Sequence, residues 1–395
     1  MAISFLCLAF CLIFPPFIAS TRTLQHTQLV GQEVHRNLNE SRRELGEYFR
    51  CDQNHPNPID ECSGWCNDEW KNNRKKLADC GVGYGKNAQG GKDGKYYVVT
   101  SHLDPDAVNP PPGTLRYGVL QNEPLWIVFQ KDMTIELKEE LIMTPYKTID
   151  GRGVNVNITK CSGITVQYVN NIIINSVTIK DIVSCGDADV RSNWHHYGER
   201  QMADGDAISI MGSRDIWVNH CTLSNCHDGL IDMVLASTAI TVSNCHFSDH
   251  NEVMLLGHND DYVLDKNMKV TIAYNYFGKN LIQRMPRIRH GTLQLINNFY
   301  PNGWGMYAVG GTSHPTIVSV GNIFVAPDSA NNKEVTFHVD EDESVWKNYP
   351  WYSVNDLLYN DATFRATGGS IYDGPMSMEV ESPNYVVAYT RYAGA

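Results

Sequence analysis

Six short runs constrain the fold of this chain more than anything else in it. They are NIIINSVTI (171–179), DIWVNHCTL (215–223), AITVSNCHF (239–247), KVTIAYNYF (269–277), TLQLINNFY (292–300) and TIVSVGNIF (316–324). Each sets an Asn among alternating apolar residues. The Asn fall at 175, 219, 244, 275, 298 and 322, so the steps are 44, 25, 31, 23 and 24 residues. Alternation is a strand signal, and a period of twenty-odd residues built from short strands and turns belongs to a solenoid. The predicted class is all-β: a right-handed parallel β-helix whose coils stack one on the next. On this reading the first step is two coils, and the 31-residue step holds a loop insertion. One Asn at the same corner of each coil would form a ladder that satisfies turn backbone. A β-sandwich competes, but its strands return every ~8–12 residues and need no recurrent Asn.

The chain has 395 residues, 42% of them hydrophobic, enough for one large domain or two ordinary ones. Residues 1–20 (MAISFLCLAFCLIFPPFIAS) are apolar and end in small residues. A membrane anchor competes with a secretory signal; the two prolines and the short apolar core favour a removed signal. No later stretch has the ~18 uninterrupted apolar residues of a spanning helix. The mature protein is therefore expected to be secreted, with no membrane partner. Residues 21–66 form a polar extension that ends in a Cys-containing loop. Residues 67–345 are assigned to the β-helix and 346–395 to a C-terminal segment packing on it. The Gly-rich stretch 83–94 reads as a turn feeding a strand, because no Gly-Lys-Ser/Thr follows. Nine cysteines remain after the signal. Some should pair in an oxidising compartment, and an odd count leaves at least one over. Asn39 and Asn157 begin glycan sequons.

Chemistry concentrates in two places. ADGDAISI (203–210) and HDGLID (227–232) carry Asp204, Asp206, Asp228 and Asp232. The first two lie two apart in a strand-like run, which would put them on one face. The pairs are about one coil apart, so a β-helix would stack them. Four carboxylates on one patch repel unless a cation sits among them, and oxygen-only donors suit Ca²⁺ before Mg²⁺. The bland alternative is that Asp204 and Asp228 are Asp-Gly turn residues. Opposite in sign is QRMPRIRHG (283–291), where Arg284, Arg287 and Arg289 fall within six residues of a chain whose net charge is −12. That net charge argues against a nucleic-acid partner. A local basic wall facing a polyanion remains.

These motifs, in order, resemble the plant pectate lyases of the parallel β-helix pectate lyase superfamily, a group that includes pollen allergens. KTIDGRGVNV (147–156) and GTLRYGVLQNEPLWIVFQKDM (113–133) extend the resemblance, which covers about residues 50–345. It implies Ca²⁺-dependent β-elimination of de-esterified homogalacturonan, leaving a 4,5-unsaturated end. It puts Asp204, Asp228 and Asp232 on calcium positions with Asp206 beside them. It makes Arg284 the base and Arg289 a clamp on substrate carboxylate, and gives Arg287 no equally firm role beyond helping to bind substrate. Arginine is an awkward base. Crowding by Arg287, Arg289 and Ca²⁺ would ease its deprotonation. The sequence departs from the family at Glu252, where bacterial relatives carry a substrate-binding lysine. It departs again at Asn219 in IWVNH and at Ile288 between the arginines, where a cysteine is common. The CSGWC arrangement (62–66) also differs.

Three rival readings compete. A polygalacturonase would carry Asn-Thr-Asp, Asp-Asp and Arg-Ile-Lys motifs, and Arg-Ile-Arg (287–289) matches the last only in part. A non-catalytic pectin-binding or allergen-like β-helix would keep the fold without turnover. A His-based metalloenzyme has 14 His to draw on but no His-Glu-x-x-His motif. A monomer acting on polygalacturonate is the reading that absorbs most of the motifs.

Overall fold

The computed structural model describes residues 51–395, apart from Gln53, Asp68 and Asp340. The expected signal, the first part of the polar extension and the Asn39 sequon lie outside the described residues. The predicted class holds: the chain winds a right-handed parallel β-helix of three stacked sheets, with ten, nine and eight strands. Each coil visits the ten-stranded, then the nine-stranded, then the eight-stranded sheet. The stack opens with Lys95–Val99, and its last coil uses Trp351–Val354 and Leu357–Tyr359.

Alternation explains why these residues make this shape. In the ten-stranded sheet, Ile127, Ile149, Ile174, Val218, Val242, Ile272 and Leu295 fall into one register column facing the interior. All seven are 0% exposed. In the nine-stranded sheet, Phe247, Phe277, Tyr300 and Phe324 stack with ring centroids 5.2, 4.2 and 4.5 Å apart. Like residues meet like because a parallel stack repeats each position about every 4.8 Å.

The 44-residue step between Asn175 and Asn219 is one coil, not two. Asn170–Asn175 pairs directly with Arg214–Asn219. The surplus residues form an inserted antiparallel hairpin, Ala188–Asn193 with His196–Arg200. The Cys161–Cys185 disulfide pins its entry. Sequence spacing counted residues and could not tell an insertion from an extra coil.

The six Asn also share one corner, but at three successive positions rather than one. Asn175 and Asn219 end their strands, and Asn219 Nδ2 donates to Asn175 Oδ1 at 2.8 Å. Asn244 takes the next position in left-handed conformation, φ 52°, as do Ser176, His220, Tyr274 and Asn297 in their coils. Asn275, Asn298 and Asn322 come one further and point inward. There the side-chain oxygen of Asn298 accepts from the Asn275 backbone N–H at 3.0 Å, and that of Asn322 from Asn298 at 2.7 Å. The coil needs its donors satisfied at this corner, and three adjacent positions can do it.

The Gly-rich stretch does lead into a strand, but first it straps the outer face of the ten-stranded sheet. The Gly85 N–H donates to Thr241 Oγ1 at 2.9 Å and Gly91 N–H to Thr148 Oγ1 at 3.0 Å. A Cβ on Gly91 would sit 1.8 Å from the Leu125 carbonyl oxygen. Only bare backbone can lie this close. Two further disulfides, Cys51–Cys66 and Cys62–Cys80, staple the preceding segment. Cys221, Cys226 and Cys245 are free. The C-terminal segment returns over the same corner: Gly394 N–H donates to the Asn244 carbonyl at 2.7 Å, and His220 Nδ1 to the Gly394 carbonyl at 3.1 Å.

Candidate active site

The acids and arginines all lie on the outward face of the eight-stranded sheet or in the loops leading to and from it. Ser209, Asp232, Leu255, Arg287 and Gly310 form one register column across five coils. Asp232 is therefore two coils from Arg287. Asp228 and Asp206 lie in the segments that enter the strands Ile231–Val234 and Ile208–Met211, and Glu252 and Arg284 precede Met254–Leu256 and Arg287–Ile288.

Asp204 and Asp206 do not share a strand face as expected. Residues 201–206 carry no regular secondary structure, and the strand begins at Ile208. Asp204 is exposed, whereas Asp206 is 5% exposed. Its carboxylate accepts from Ser209 Oγ at 2.6 Å and from the Gly229 N–H at 2.8 Å.

Gly229 has a second job. A Cβ built on it would meet Asp232 Oδ1 at 2.2 Å and Asp206 Oδ1 at 3.2 Å. The buried Asp206 and the half-buried Asp232 thus both bring a carboxylate oxygen to the vacant Cβ position of a glycine, and the Asp-Gly at 228–229 is more than a turn. Burial pushes Asp206 up to about 7; the Ser209 hydrogen bond opposes this, and the charges of Asp228 and Asp204 add to it. Burial, then Asp206 and Asp228, raise Asp232 well above the carboxylate range. Paired acids in such a place favour a cation between them.

The donor set is oxygen only, which fits a hard cation. Yet among the described residues no three His, Cys, Asp or Glu close into a complete metal cage. Two carboxylates converge, while Asp204 is exposed and Asp228 half-buried. A cation held by so open a set would draw its remaining oxygens from water or from an acidic ligand. That suits calcium's tolerance of mixed coordination.

Two of the three arginines are paired with acids. Arg284, in left-handed conformation at φ 59°, pairs its Nη2 with Glu252 Oε1 at 2.8 Å. Arg289 Nη1 donates to the Gly257 carbonyl at 2.6 Å, and its Nε lies 3.5 Å from Asp260 Oδ1. Burial, then the neighbouring Arg287, lowers Arg289 from the usual guanidinium value. Arg287 makes no ion pair with a described residue, and its Nε is buried without a hydrogen-bond partner. The Arg284 Nε is likewise buried without a partner, so what sets Arg287 apart is that it makes no ion pair with a described residue. Tyr307, 2% exposed, lies beside Arg284 and Arg287; burial raises its hydroxyl above the usual value and the two guanidiniums oppose this.

Sequence reasoning marked Glu252 as a departure but did not see it on Arg284. It missed Gly229, Asp260 and Tyr307. Only Gly229 had a signal, being set between two acids in Asp-Gly-Leu-Ile-Asp. Ile288 faces the core at 0% exposure, in register with Leu256. Asn157 is half-buried within a strand of the nine-stranded sheet.

Comparison with known proteins gives the family. A family model described as pectate lyase matches residues 135–372. The chain is 51% identical over 401 residues to probable pectate lyase 22 of Arabidopsis thaliana, covering 100% of this chain and 91% of that one. It is 51% identical over 382 residues to a pectate lyase of Zinnia elegans, covering 96% and 94%. Among solved structures it resembles Jun a 1, the major allergen from cedar pollen, with 42% identity and a TM-score of 0.82 over 86% of this chain and 99% of that one. The chain belongs to the pectate lyase family, and with it to the lyase class of enzymes.

Proposed function

We propose that this chain cleaves de-esterified (1→4)-α-D-galacturonan by calcium-dependent β-elimination, with Arg284 as the base. The observation that carries the reading is the Asp206–Asp232 pair meeting at Gly229, with Asp232 two coils from Arg287, which Arg284 and Arg289 flank. A polyuronate needs both: a bridge between its own acids and those of the protein, and cations for the rest.

Asp206 and Asp232, with Asp204 and Asp228 beside them, are the residues that would hold Ca²⁺. Bound there, Ca²⁺ supplies positive charge against the uronate carboxylate and makes the adjacent C5 proton easier to lose. Arg287 and Arg289 hold substrate carboxylates. Arg287 is the better placed, because its buried Nε lacks a partner while Arg289 is already engaged. Arg284 acts in its neutral guanidine form, having first given one proton to solvent; the lone pair of its bare nitrogen takes the C5 proton and the side chain returns to guanidinium. The C5–H electrons become the C4–C5 double bond, the C4–O bond breaks, and the leaving sugar oxygen is protonated by water. The left-handed backbone at Arg284, its Glu252 pair and its Tyr307 contact fix where that guanidinium points.

Secretion through residues 1–20 and action as a monomer in a plant cell wall complete the proposal; the coils themselves run past the expected boundary at 345, through Trp351–Val354 and Leu357–Tyr359. No helix among the described residues is long and apolar enough to cross a membrane.

Product analysis tests the reading. Digestion of polygalacturonate should yield unsaturated ends in proportion to new reducing ends. Reducing ends without unsaturation would indicate a hydrolase. Polymer binding with neither product would indicate a non-catalytic pectin-binding β-helix.

A further inference from the structure

Phe337 stands where the outward face of the eight-stranded sheet runs on past the arginines. The column that carries Asp232, Leu255, Arg287 and Gly310 continues to Phe337 in the strand Thr336–His338. Two coils separate Phe337 from Arg287, about 10 Å at the spacing of neighbouring strands. Gly310, between them, has no side chain, and Tyr307 fills the space: a Cβ there would meet Tyr307 Cε2 at 2.5 Å. Tyr307 is buried and stacks on Phe337, with ring centroids 5.1 Å apart and planes 23° apart. Phe337 itself is 41% exposed, a large apolar ring propped by another ring and open to solvent. A second cation follows. Thr363, in the next coil, bridges in parallel to Glu334, and the Arg365 N–H donates to Thr336 Oγ1 at 3.1 Å. The half-exposed Arg365 guanidinium lies over Trp346 at 5.0 Å, with its Nη2 3.2 Å from Glu334 Oε2.

A lone exposed ring on a protein surface means little. This one shares a register column with Asp232 and Arg287, and along the stack one guanidinium comes before it and another after it. An apolar partner would have no use for the flanking cations, and a simple anion would have none for the ring. A chain of uronic acids uses both: the C–H groups of a pyranose pack on an aromatic ring, while its carboxylates meet guanidiniums. We propose that Phe337 forms an outlying subsite. It packs against a galacturonate ring of the same polymer chain that meets the carboxylate pair, and Arg365 receives a carboxylate at the far side of that ring. This rests on the galacturonan reading and adds to it a preference for longer chains. The bond that breaks lies back toward Arg284, so the subsite acts on binding and leaves the chemical step alone.

The test compares Phe337→Ala and Phe337→Tyr with wild type, in calcium, on trigalacturonate and hexagalacturonate. The ratio of kcat/KM for the hexamer over the trimer should fall by roughly fivefold or more in Phe337→Ala, the scale of one lost ring contact. The fall should lie in KM for the hexamer, with kcat within about twofold of wild type. Phe337→Tyr keeps the ring and should keep the ratio. A ratio in Phe337→Ala within about twofold of wild type overturns the proposal. So does an equal loss on both oligomers, which would make Phe337 a support for the fold, and so does a wild type that gains nothing from the three extra sugars. Calorimetric Kd values for the same oligomers separate this proposal from the lyase reading. A wild type that cleaves neither oligomer, yet binds the hexamer tighter and loses that margin in Phe337→Ala, removes the lyase reading and supports the subsite. A wild type that binds neither oligomer overturns both.

Discussion

Gly229→Ala should disable the carboxylate pair while leaving the fold intact. The backbone at Gly229 is not in the left-handed region, so alanine fits its conformation; the obstacle is space alone. The new methyl would lie 2.2 Å from Asp232 Oδ1, where ordinary contact begins at 3.4 Å. That oxygen must retreat by about 1 Å, against metal–oxygen distances that tolerate about 0.2 Å. Misplacement on this scale costs about 10²-fold in rate and 10–100-fold in metal affinity. Calcium affinity, read by calorimetry, and the calcium concentration giving half-maximal rate should both shift by that order. Gly198→Ala serves as the control. Its methyl would meet nothing nearer than His196 Cε1 at 4.0 Å, so both readouts should match wild type. A folded Gly229→Ala protein within twofold of wild type in both would refute the placement of the cation between Asp206 and Asp232.

Other perturbations reach different parts of the account. Arg284→Lys keeps a positive charge but moves it. It should drop kcat by 10³-fold or more, at the scale of a lost catalytic group, while polymer affinity stays within a few-fold; near-normal turnover would remove Arg284 as base. Asp150 is buried, which alone would raise it, but Arg152, Arg74 and the Trp126 N–H hold it at about 2. Asp150→Ala should cost ~3–5 kcal/mol by stranding buried guanidiniums, measured by chemical denaturation. Because its folded value is depressed, the Asp150 contribution is present above about pH 4 and fades as pH falls toward 2; Asp150→Asn should lose that acid-side slope. His220 behaves in the opposite sense. Both its ring nitrogens face acceptors, Asp60 Oδ1 at 2.7 Å and the Gly394 carbonyl at 3.1 Å, so it must donate twice and is held as imidazolium. Burial opposes the charge, but Asp60 and Gly394 prevail and raise it. Its stabilisation is complete below the unfolded value near pH 6.5 and is lost as pH rises through the folded value. His220→Gln should flatten the alkaline side of a denaturation series; an unchanged slope would contradict the pairing.

What could be read without coordinates was whatever repeats or carries charge. The inward isoleucines and valines alternate at period two, so the strands were legible run by run, and the repeat named the solenoid. Register was not. Asn244 lies one position from Asn219 in the same corner, a difference that spacing alone cannot show when each coil tolerates a shift. The hairpin at 188–200 hid for the same reason, since 44 residues fit two short coils as well as one long coil. At the site, residue types announced acids and arginines but not their pairing. Glu252 comes onto Arg284 only because His250–Glu252 and Leu281–Gln283 are neighbours in a two-stranded sheet. Glycine's role at 229 is a matter of absent volume, which sequence registers only as a common turn residue.

The central claim is that the carboxylate pair and the arginines act together through calcium on a polyuronate. Its most direct test is the initial rate of unsaturated-product absorbance on polygalacturonate after chelation, followed by titration with Ca²⁺. The account predicts no product in chelator and a saturable rise as calcium is restored, with that rise shifted to higher calcium in Asp232→Asn. Unsaturated product formed at full rate in chelator, or a rate indifferent to added calcium, would contradict it.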